Sequence, residues 1–274
     1  MVNHMKNEWK RAFFHPIFWL GVVIITLVLY ASGRNALLSL ETHGQVPPEY
    51  LLRGMEYSVN GYVNIYWSSL MNYALWLWPF WVGIPYIVEY ATELSAGFAP
   101  MMNLRTGKKG IYERRKLLIS GLISGCSVIF PLLLYLLILY LRIGHFGPGR
   151  YIVELQGGID RLPFVFIHPH ALFHQILLIG AYGVVLGILG ALLARKLKLP
   201  AFSYLFVPVC LIGQNKILET FAFLTKSRIW NSFNILGIYV MDIYSYRYVI
   251  IQLFVLICFV YFLYEHEKRS EVEE

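Results

Sequence analysis

Long apolar runs alternate with polar segments along this chain. Six of the runs contain no Asp, Glu, Lys, Arg or His apart from His174 in the fourth, and several are long enough to cross a bilayer as a helix. A crossing helix needs about 20 mostly apolar residues, because the hydrocarbon core is about 30 Å thick. The pattern therefore predicts an all-α, polytopic membrane fold with six spans in a single transmembrane domain, 1–274. The predicted spans are about 17–33, 65–88, 117–141, 171–194, 200–214 and 248–264.

The polar segments between these runs predict further elements. His4–His15 mixes cations with aromatic residues and precedes Pro16, which predicts an amphipathic helix in the membrane interface over 4–15. The mildly apolar stretch Phe98–Leu104 precedes a basic cluster and predicts a short helix between spans two and three. Asn215–Arg247 is too polar to cross but rich in aromatic residues. It predicts one or two short helices that re-enter the membrane from its outer face.

The composition supports a membrane protein. Hydrophobic residues make up 58% of the 274 positions, charged residues only 14%, and the mean hydropathy is +0.57. A soluble domain carries about 25% charged residues. The first apolar run is too long for the core of a signal peptide and is followed by Arg34 and Asn35 instead of a cleavage site. We therefore expect it to remain as a span.

The basic residues predict the orientation of the chain. The net charge is +7, and the excess lies in short segments beside the apolar runs, where Lys and Arg mark the cytoplasmic side. This distribution predicts cytoplasmic termini and no nucleic-acid partner. The predicted inner segments carry 14 of the 23 basic residues, namely Lys6, Lys10, Arg11, Arg105, Lys108, Lys109, Arg114, Arg115, Lys116, Arg195, Lys196, Lys198, Lys268 and Arg269.

Two features are missing from the sequence pattern. Apart from His174 near the beginning of span four, the predicted spans lack ionisable residues, which argues against a self-powered secondary transporter, because proton and ion relays usually need such groups within the membrane. A phosphate-binding glycine loop is also missing. Around Gly107 and Lys108, Met102 stands where the first glycine belongs and Lys109 where the hydroxyl residue belongs. The chain therefore has no predicted nucleotide-binding domain, and active transport would need energy from another protein.

The segment after span two resembles the first cytoplasmic loop of ABC-2-type permeases, the membrane subunits of one class of ATP-binding-cassette transporters. That loop carries a Glu, a Gly four residues later, a coupling helix, a basic residue and a Lys seven residues further on. Glu93, Gly97, Lys109 and Lys116 follow this spacing.

The beginning of the chain is similar to the start of the same family. Its pattern is Glu8-x-Lys10-Arg11, followed by Pro16-x-Phe18 at the entry to span one. Lys109 stands where Arg is commoner in the family, and the outer loop after span one is longer than in many members.

The resemblance implies the membrane subunit of an exporter in a bacterial cytoplasmic membrane, paired with a second copy or a related permease. The subunit itself would not be an enzyme and would hold no cofactor, since a separate ATPase would bind ATP and Mg. The apolar spans suit a hydrophobic or amphipathic substrate such as a peptide antibiotic, a lipid or a drug. The implied contacts with the ATPase are Glu93, Gly97, Phe98, Met101, Met102, Leu104, Arg105, Lys109 and Lys116, supported by the interfacial residues Trp9, Lys10, Arg11 and Phe13.

Two other functional classes stay open. His168, His170 and His174 have a spacing that can bind zinc or copper in a metal-dependent membrane enzyme, but no acidic residue or cysteine nearby completes a site. Interfacial histidines bound to headgroups and water are the favoured interpretation. A sensor or assembly protein without transport activity is the second alternative, and it predicts no stable ATPase partner.

Small residues occur at helical spacing in two of the predicted spans. Gly121 and Gly125 lie in span three, and Gly183 and Gly187 lie in span four. Glycines four residues apart let two helices approach closely. Packing inside one subunit is favoured over a dimer contact. The three cysteines, Cys126, Cys210 and Cys258, lie in apolar runs and predict neither a disulfide nor a metal site.

Overall fold

A computed structural model of the chain describes residues 2–43, 55–58, 75–84, 86–98, 101, 111–143, 149–153, 165–167, 169–197, 200–226 and 246–273. These residues form eight helices and three short strands. In chain order the elements are α1 (Val2–Phe13), α2 (Pro16–His43), β1 (Met55–Ser58), α3 (Leu75–Trp81), α4 (Ile87–Ser95), α5 (Ile111–Ile143), β2 (Gly149–Val153), β3 (Val165–Ile167), α6 (Pro169–Leu197), α7 (Pro200–Thr225) and α8 (Tyr246–Glu273).

By length and composition, four helical stretches are apolar enough to cross a membrane. Among the described residues these stretches cover predicted spans one and three and overlap spans four and five, which supports a helical membrane protein. The predicted span six lies in α8, whose apolar stretch Ile250–His266 is shorter. The total of six spans stays a prediction. The four stretches are Glu8–Asn35, Tyr112–Arg142, Ile176–Lys196 and Leu205–Thr225.

Proline marks the beginning of three of the long helices. Pro16, Pro169 and Pro200 are the first residues of α2, α6 and α7. Proline suits this position because the first helical N–H has no partner within the helix, and the fixed φ angle of the ring is already helical.

Large apolar side chains are exposed along most of the long helices. A soluble monomer rarely exposes extensive apolar patches, whereas lipid tails are a favourable environment for such side chains. Contact with lipid accounts for their exposure in a membrane fold. Representative members are Leu20, Leu27, Leu118, Leu141, Phe254 and Phe262.

The structure differs from the prediction in the region of span two. The helix predicted over 65–88 is not continuous, because α3 ends at Trp81, a turn follows, and α4 begins at Ile87. Residues 65–74 of this predicted span lie outside the described residues.

The structure also corrects the boundary of span five. Residues 215–225 continue α7 and do not form a separate re-entrant helix. Lys216 and Glu219 therefore lie in a helix that is apolar enough to cross a membrane. This corrects the prediction that the spans lack charge, and it removes one argument against self-powered transport. Residues 227–245 of the predicted re-entrant segment lie outside the described residues.

The chain divides into two compact units. The first comprises Met1–Gly21, Trp78–Val128 and Ile179–Glu274, and the second comprises Val22–Leu77 and Ile129–Leu178. The boundaries fall within α2, α3, α5 and α6, so these four helices contribute to both units.

The second unit contains a small antiparallel sheet in the order β1-β2-β3. Met55 lies opposite Val153, and Arg150 lies opposite Phe166. The sheet was not part of the all-α prediction. Its strands are three to five residues long, so alternation between apolar and polar positions cannot identify them in the sequence.

Within the first unit, α5 and α6 pack closely through their small residues. A Cβ atom on Gly183 would lie 3.1 Å from the Cα of Gly125. The hydroxyl of Ser120 donates a hydrogen bond of 3.1 Å to the carbonyl oxygen of Gly187. Both glycine motifs therefore serve packing inside the subunit, as the sequence favoured.

We expect Gly183→Val to lower the free energy of unfolding by about 1–3 kcal/mol, because the larger side chain must push α5 and α6 apart. Gly213→Val is the matched control, since a Cβ at Gly213 meets nothing within 4 Å. The measurement is thermal unfolding in detergent. An equal loss in both variants would contradict the proposed packing role of Gly183.

Candidate functional site

Three helices of the first unit each carry two polar residues on one face. Side chains three or four positions apart in a helix are neighbours. The three pairs meet in one network, which we call the ion-pair cluster. Its members are Glu8 and Arg11 of α1, Glu89 and Glu93 of α4, and Tyr112 and Lys116 of α5.

The carboxylate of Glu93 is the centre of this cluster. Its Oε1 atom accepts a hydrogen bond of 2.8 Å from the guanidinium of Arg11. Its Oε2 atom lies 2.7 Å from Nζ of Lys116 and accepts a second bond of 2.7 Å from the hydroxyl of Tyr112. Arg11 also donates to Glu89. One side chain of α4 therefore connects α1 to α5.

Lys116 is almost fully buried, with 1% of its side chain exposed. Its ammonium lies 5.4 Å from the ring centroids of both Tyr86 and Tyr112, a distance at which aromatic faces attract a cation. Glu8 lies 3.6 Å from the same nitrogen. The aromatic rings and two carboxylates thus replace the water that Lys116 loses on burial.

The cations of the cluster keep Glu93 ionised. Burial alone would raise the pKa of this carboxyl group. The hydrogen bond and charge of Lys116, with hydrogen bonds from Tyr112 and Arg11, outweigh burial and hold the pKa below its ordinary value of 4.5. The carboxylate therefore stays charged at neutral pH.

The first turns of α5 also contact two other helices of the same unit. Glu113 forms an ion pair of 3.1 Å with Arg195 of α6, and both side chains are largely buried. The guanidinium of Arg114 lies 5.9 Å from the ring centroid of Tyr264 in α8. Together with the contacts of Lys116, residues 112–116 connect α5 to α1, α4, α6 and α8.

A glycine in the left-handed conformation follows the end of α4. Gly97 has a φ angle of 71°, which side chains with a Cβ atom rarely adopt, and its N–H donates to the carbonyl oxygen of Leu94. The chain turns there, and the next described apolar side chains are exposed. They are Phe98, exposed by 44%, and Met101, exposed by 62%.

The four predicted interfacial residues lie in α1, where they have different environments. Trp9 stacks on Phe13 at 5.9 Å, and Phe13 also contacts Phe18 at the start of α2. Lys10 is exposed. Arg11 is in the ion-pair cluster. The aromatic face therefore fixes α1 to the beginning of α2, while Arg11 fixes it to α4.

Two predicted contact residues, Glu93 and Lys116, pair with each other inside the ion-pair cluster, and others lie outside the described residues. Lys116 was expected to contact a partner, but its burial makes it an internal residue that holds helices together. Met102, Leu104, Arg105, Lys109 and His168 lie outside the described residues. His170 and His174 are in α6, where the described positions do not include their side chains. Among the described side chains, no group of three or more metal ligands occurs.

Sequence reasoning did not select Glu89 or Tyr112 as site residues. Their spacing in the sequence could have identified them. Glu89 precedes Glu93 by four residues, and Tyr112 precedes Lys116 by four, so each pair shares one helix face. Polar pairs on one face of otherwise apolar helices indicate a shared partner, because burying such groups alone is costly.

Comparisons with protein-family models, with curated proteins and with solved structures gave no match to this chain.

The cluster holds three carboxylates against two cations and one tyrosine hydroxyl. Such a network positions helices, because each charged group depends on partners from other segments. A force applied to α4 would therefore move α1 and α5 with it.

We expect Glu93→Gln to lower the free energy of unfolding by about 3 kcal/mol, because it removes the main countercharge of the buried Lys116. Glu8→Gln is the matched control. The carboxylate of Glu8 is farther from Lys116 and more exposed, so its loss should cost about 1 kcal/mol or less. Unfolding in mixed micelles measures both, and an equal loss in the two variants would contradict the central place of Glu93.

The lowered pKa of Glu93 predicts a dependence on pH. In the unfolded chain this carboxyl group has its ordinary pKa of 4.5 and binds a proton near that pH. In the folded chain its pKa is lower, so it binds the proton only at lower pH. The ionised carboxylate therefore contributes its full stabilisation above pH 4.5. This stabilisation is lost as the pH falls through the lower pKa of the folded state. Melting temperatures of the wild type and Glu93→Gln should differ by a constant amount above pH 4.5 and converge below it. Convergence already at neutral pH would contradict the depressed pKa.

Proposed function

We propose that this chain is the permease subunit of an ATP-binding-cassette exporter. A separate ATPase binds and hydrolyses ATP with Mg, and this chain forms part of the path for the substrate. Two copies, or one copy and a related permease, assemble in a bacterial cytoplasmic membrane with both termini in the cytoplasm. The substrate is hydrophobic or amphipathic, as the apolar helices favour.

The ion-pair cluster is the observation that carries this proposal. The segments that resemble ABC-2-type permeases lie far apart in the sequence, around Glu8–Arg11 and around Glu93–Lys116. Their charged residues nevertheless meet in one network. A permease needs such a connection, because the movement of an ATPase has to reach several membrane helices together.

The contact with the ATPase is the exposed apolar segment after Gly97. Phe98 and Met101 are exposed, and they follow shortly after α4, the helix that carries Glu93 of the ion-pair cluster. Closure of the ATPase would press on this segment. The rigid cluster would then carry the movement into α5 and, through residues 112–116, to α6 and α8.

Lys216 and Glu219 reopen the question of self-powered transport, but a single ion pair does not supply a proton relay. Relays across a membrane use chains of ionisable groups. The dependence on a separate ATPase therefore remains part of the proposal.

The test is purification of the chain from its native membrane in mild detergent, followed by an ATPase assay. We expect Phe98→Asp to reduce the associated ATPase activity at least about tenfold, because a charge in an apolar contact removes the favourable burial of the ring. Phe98→Leu is the matched control and should retain most of the activity, since it keeps an apolar side chain there.

Two results would contradict the proposal. One is a wild-type preparation without any nucleotide-hydrolysing partner. The other is an associated ATPase activity that Phe98→Asp leaves unchanged while the variant remains folded by size-exclusion chromatography.

A further inference from the structure

Arg114 is an exposed cation near the beginning of α5, beside residues that are paired inside the protein. Glu113 is paired with Arg195, and Lys116 is buried in the ion-pair cluster. The guanidinium of Arg114 lies 5.9 Å from the ring centroid of Tyr264 in α8. A ring face attracts a cation without using up its N–H donors, so the guanidinium can still donate to a ligand from outside.

The exposed side chains in residues 112–128 of α5 lie on one face of the helix. They are Arg114, Leu118 and Leu122. Successive residues of a helix are about 100° apart, so Leu118 lies about 40° and Leu122 about 80° around the axis from Arg114. The two leucines suit lipid tails. Arg114 therefore stands at one end of an exposed apolar stripe.

A second exposed apolar stripe lies on α8 and leads away from Tyr264. Ile257, Ile250 and Tyr261 lie about 20°, 40° and 60° around the axis from this residue. All three are exposed. Because Arg114 contacts Tyr264, the two stripes meet at one cation, and each leads from it into the apolar part of its helix.

This meeting point lies at the level of a membrane surface. Arg114 is near the beginning of the apolar stretch Tyr112–Arg142, and Tyr264 is near the end of the apolar stretch Ile250–His266. Tyrosine is enriched at the boundary between lipid tails and water. The distribution of basic residues predicts that this surface faces the cytoplasm.

The charges around the contact favour an anion. Glu113 and Arg195 form a neutral pair. Arg115 adds a second cation beside Arg114, and Glu265, the one carboxylate next to Tyr264 in the sequence, has an interaction of its own. Two cations against one carboxylate leave a net positive charge.

We propose that the surface where α5 and α8 meet binds an anionic phospholipid, with the phosphate on Arg114 and the acyl chains along the two exposed stripes. A guanidinium suits a phosphate because it can donate two parallel N–H bonds to it. Basic pockets between membrane helices bind anionic headgroups on the cytoplasmic side. The lipid is a bound component of the protein surface and not a transported substrate. The inference does not depend on an ATPase partner.

The test is native mass spectrometry of the full chain in detergent, incubated with equal amounts of phosphatidylglycerol and phosphatidylcholine that carry the same acyl chains. The ratio of the two bound lipids measures the preference for the anionic headgroup. Arg114→Gln removes the proposed phosphate contact. Arg34→Gln is the matched control, because it removes the same charge from an exposed position on α2. Size-exclusion chromatography shows that each variant is folded.

We expect the wild type to prefer phosphatidylglycerol, and Arg114→Gln to lower this preference about fivefold, as expected for one basic residue at an anionic membrane surface. Arg34→Gln should leave it unchanged. Tyr264→Leu should also lower it, because the ring that positions the guanidinium is lost. Tyr264→Phe should retain it, since a phenyl ring still attracts the cation.

Three results would overturn the proposal. The first is a wild type without a preference. The second is an equal loss in Arg114→Gln and Arg34→Gln, because the preference would then follow from total charge. The third is displacement of the bound lipid by the same concentration of inorganic phosphate, which would show an anion site that does not use the apolar stripes.

Discussion

The arrangement of the first unit depends on the carboxylate of Glu93 and the buried ammonium of Lys116. A lysine with 1% of its side chain exposed has lost its water and must be compensated within the protein. Glu93 supplies the opposite charge, and Tyr86 and Tyr112 supply aromatic faces. Because these groups come from α4 with its N-cap Tyr86 and from α5, the burial of one charge fixes where the two helices meet. Removal of either partner leaves the other buried without its main countercharge.

This constraint has consequences on both sides of the pair. On α4, it fixes the helix that precedes Gly97, whose left-handed conformation turns the chain before the exposed Phe98. On α5, it fixes the turn whose other residues contact α6 and α8. In the proposed exporter, movement would start at the exposed apolar segment after Gly97. The ion-pair cluster would pass it on to the packed membrane helices.

The sequence predicts the helices better than it predicts their contacts. Apolar runs identify α2, α5 and α6 because burial in lipid determines composition over long stretches. The end of α7 was missed because polar residues at 214–216 interrupt the apolar run, although helical hydrogen bonds do not require apolar side chains. The resemblance placed Lys116 at a partner surface, and nothing near it in the sequence signals its burial, which is rare for a lysine. Its aromatic surroundings come from residues distant in the sequence. Spacing reveals which polar residues share a helix face, but not which faces meet, because that depends on the packing of the whole unit.

A double-mutant cycle tests most directly whether Glu93 and Lys116 hold these helices together. The free energy of unfolding is measured in mixed micelles for the wild type, Glu93→Gln, Lys116→Gln and the double variant. If the two side chains compensate each other, the double variant loses less stability than the two single losses together, by about 1 kcal/mol or more. Losses that add within about 0.5 kcal/mol would show that the two charges do not interact and would contradict the account.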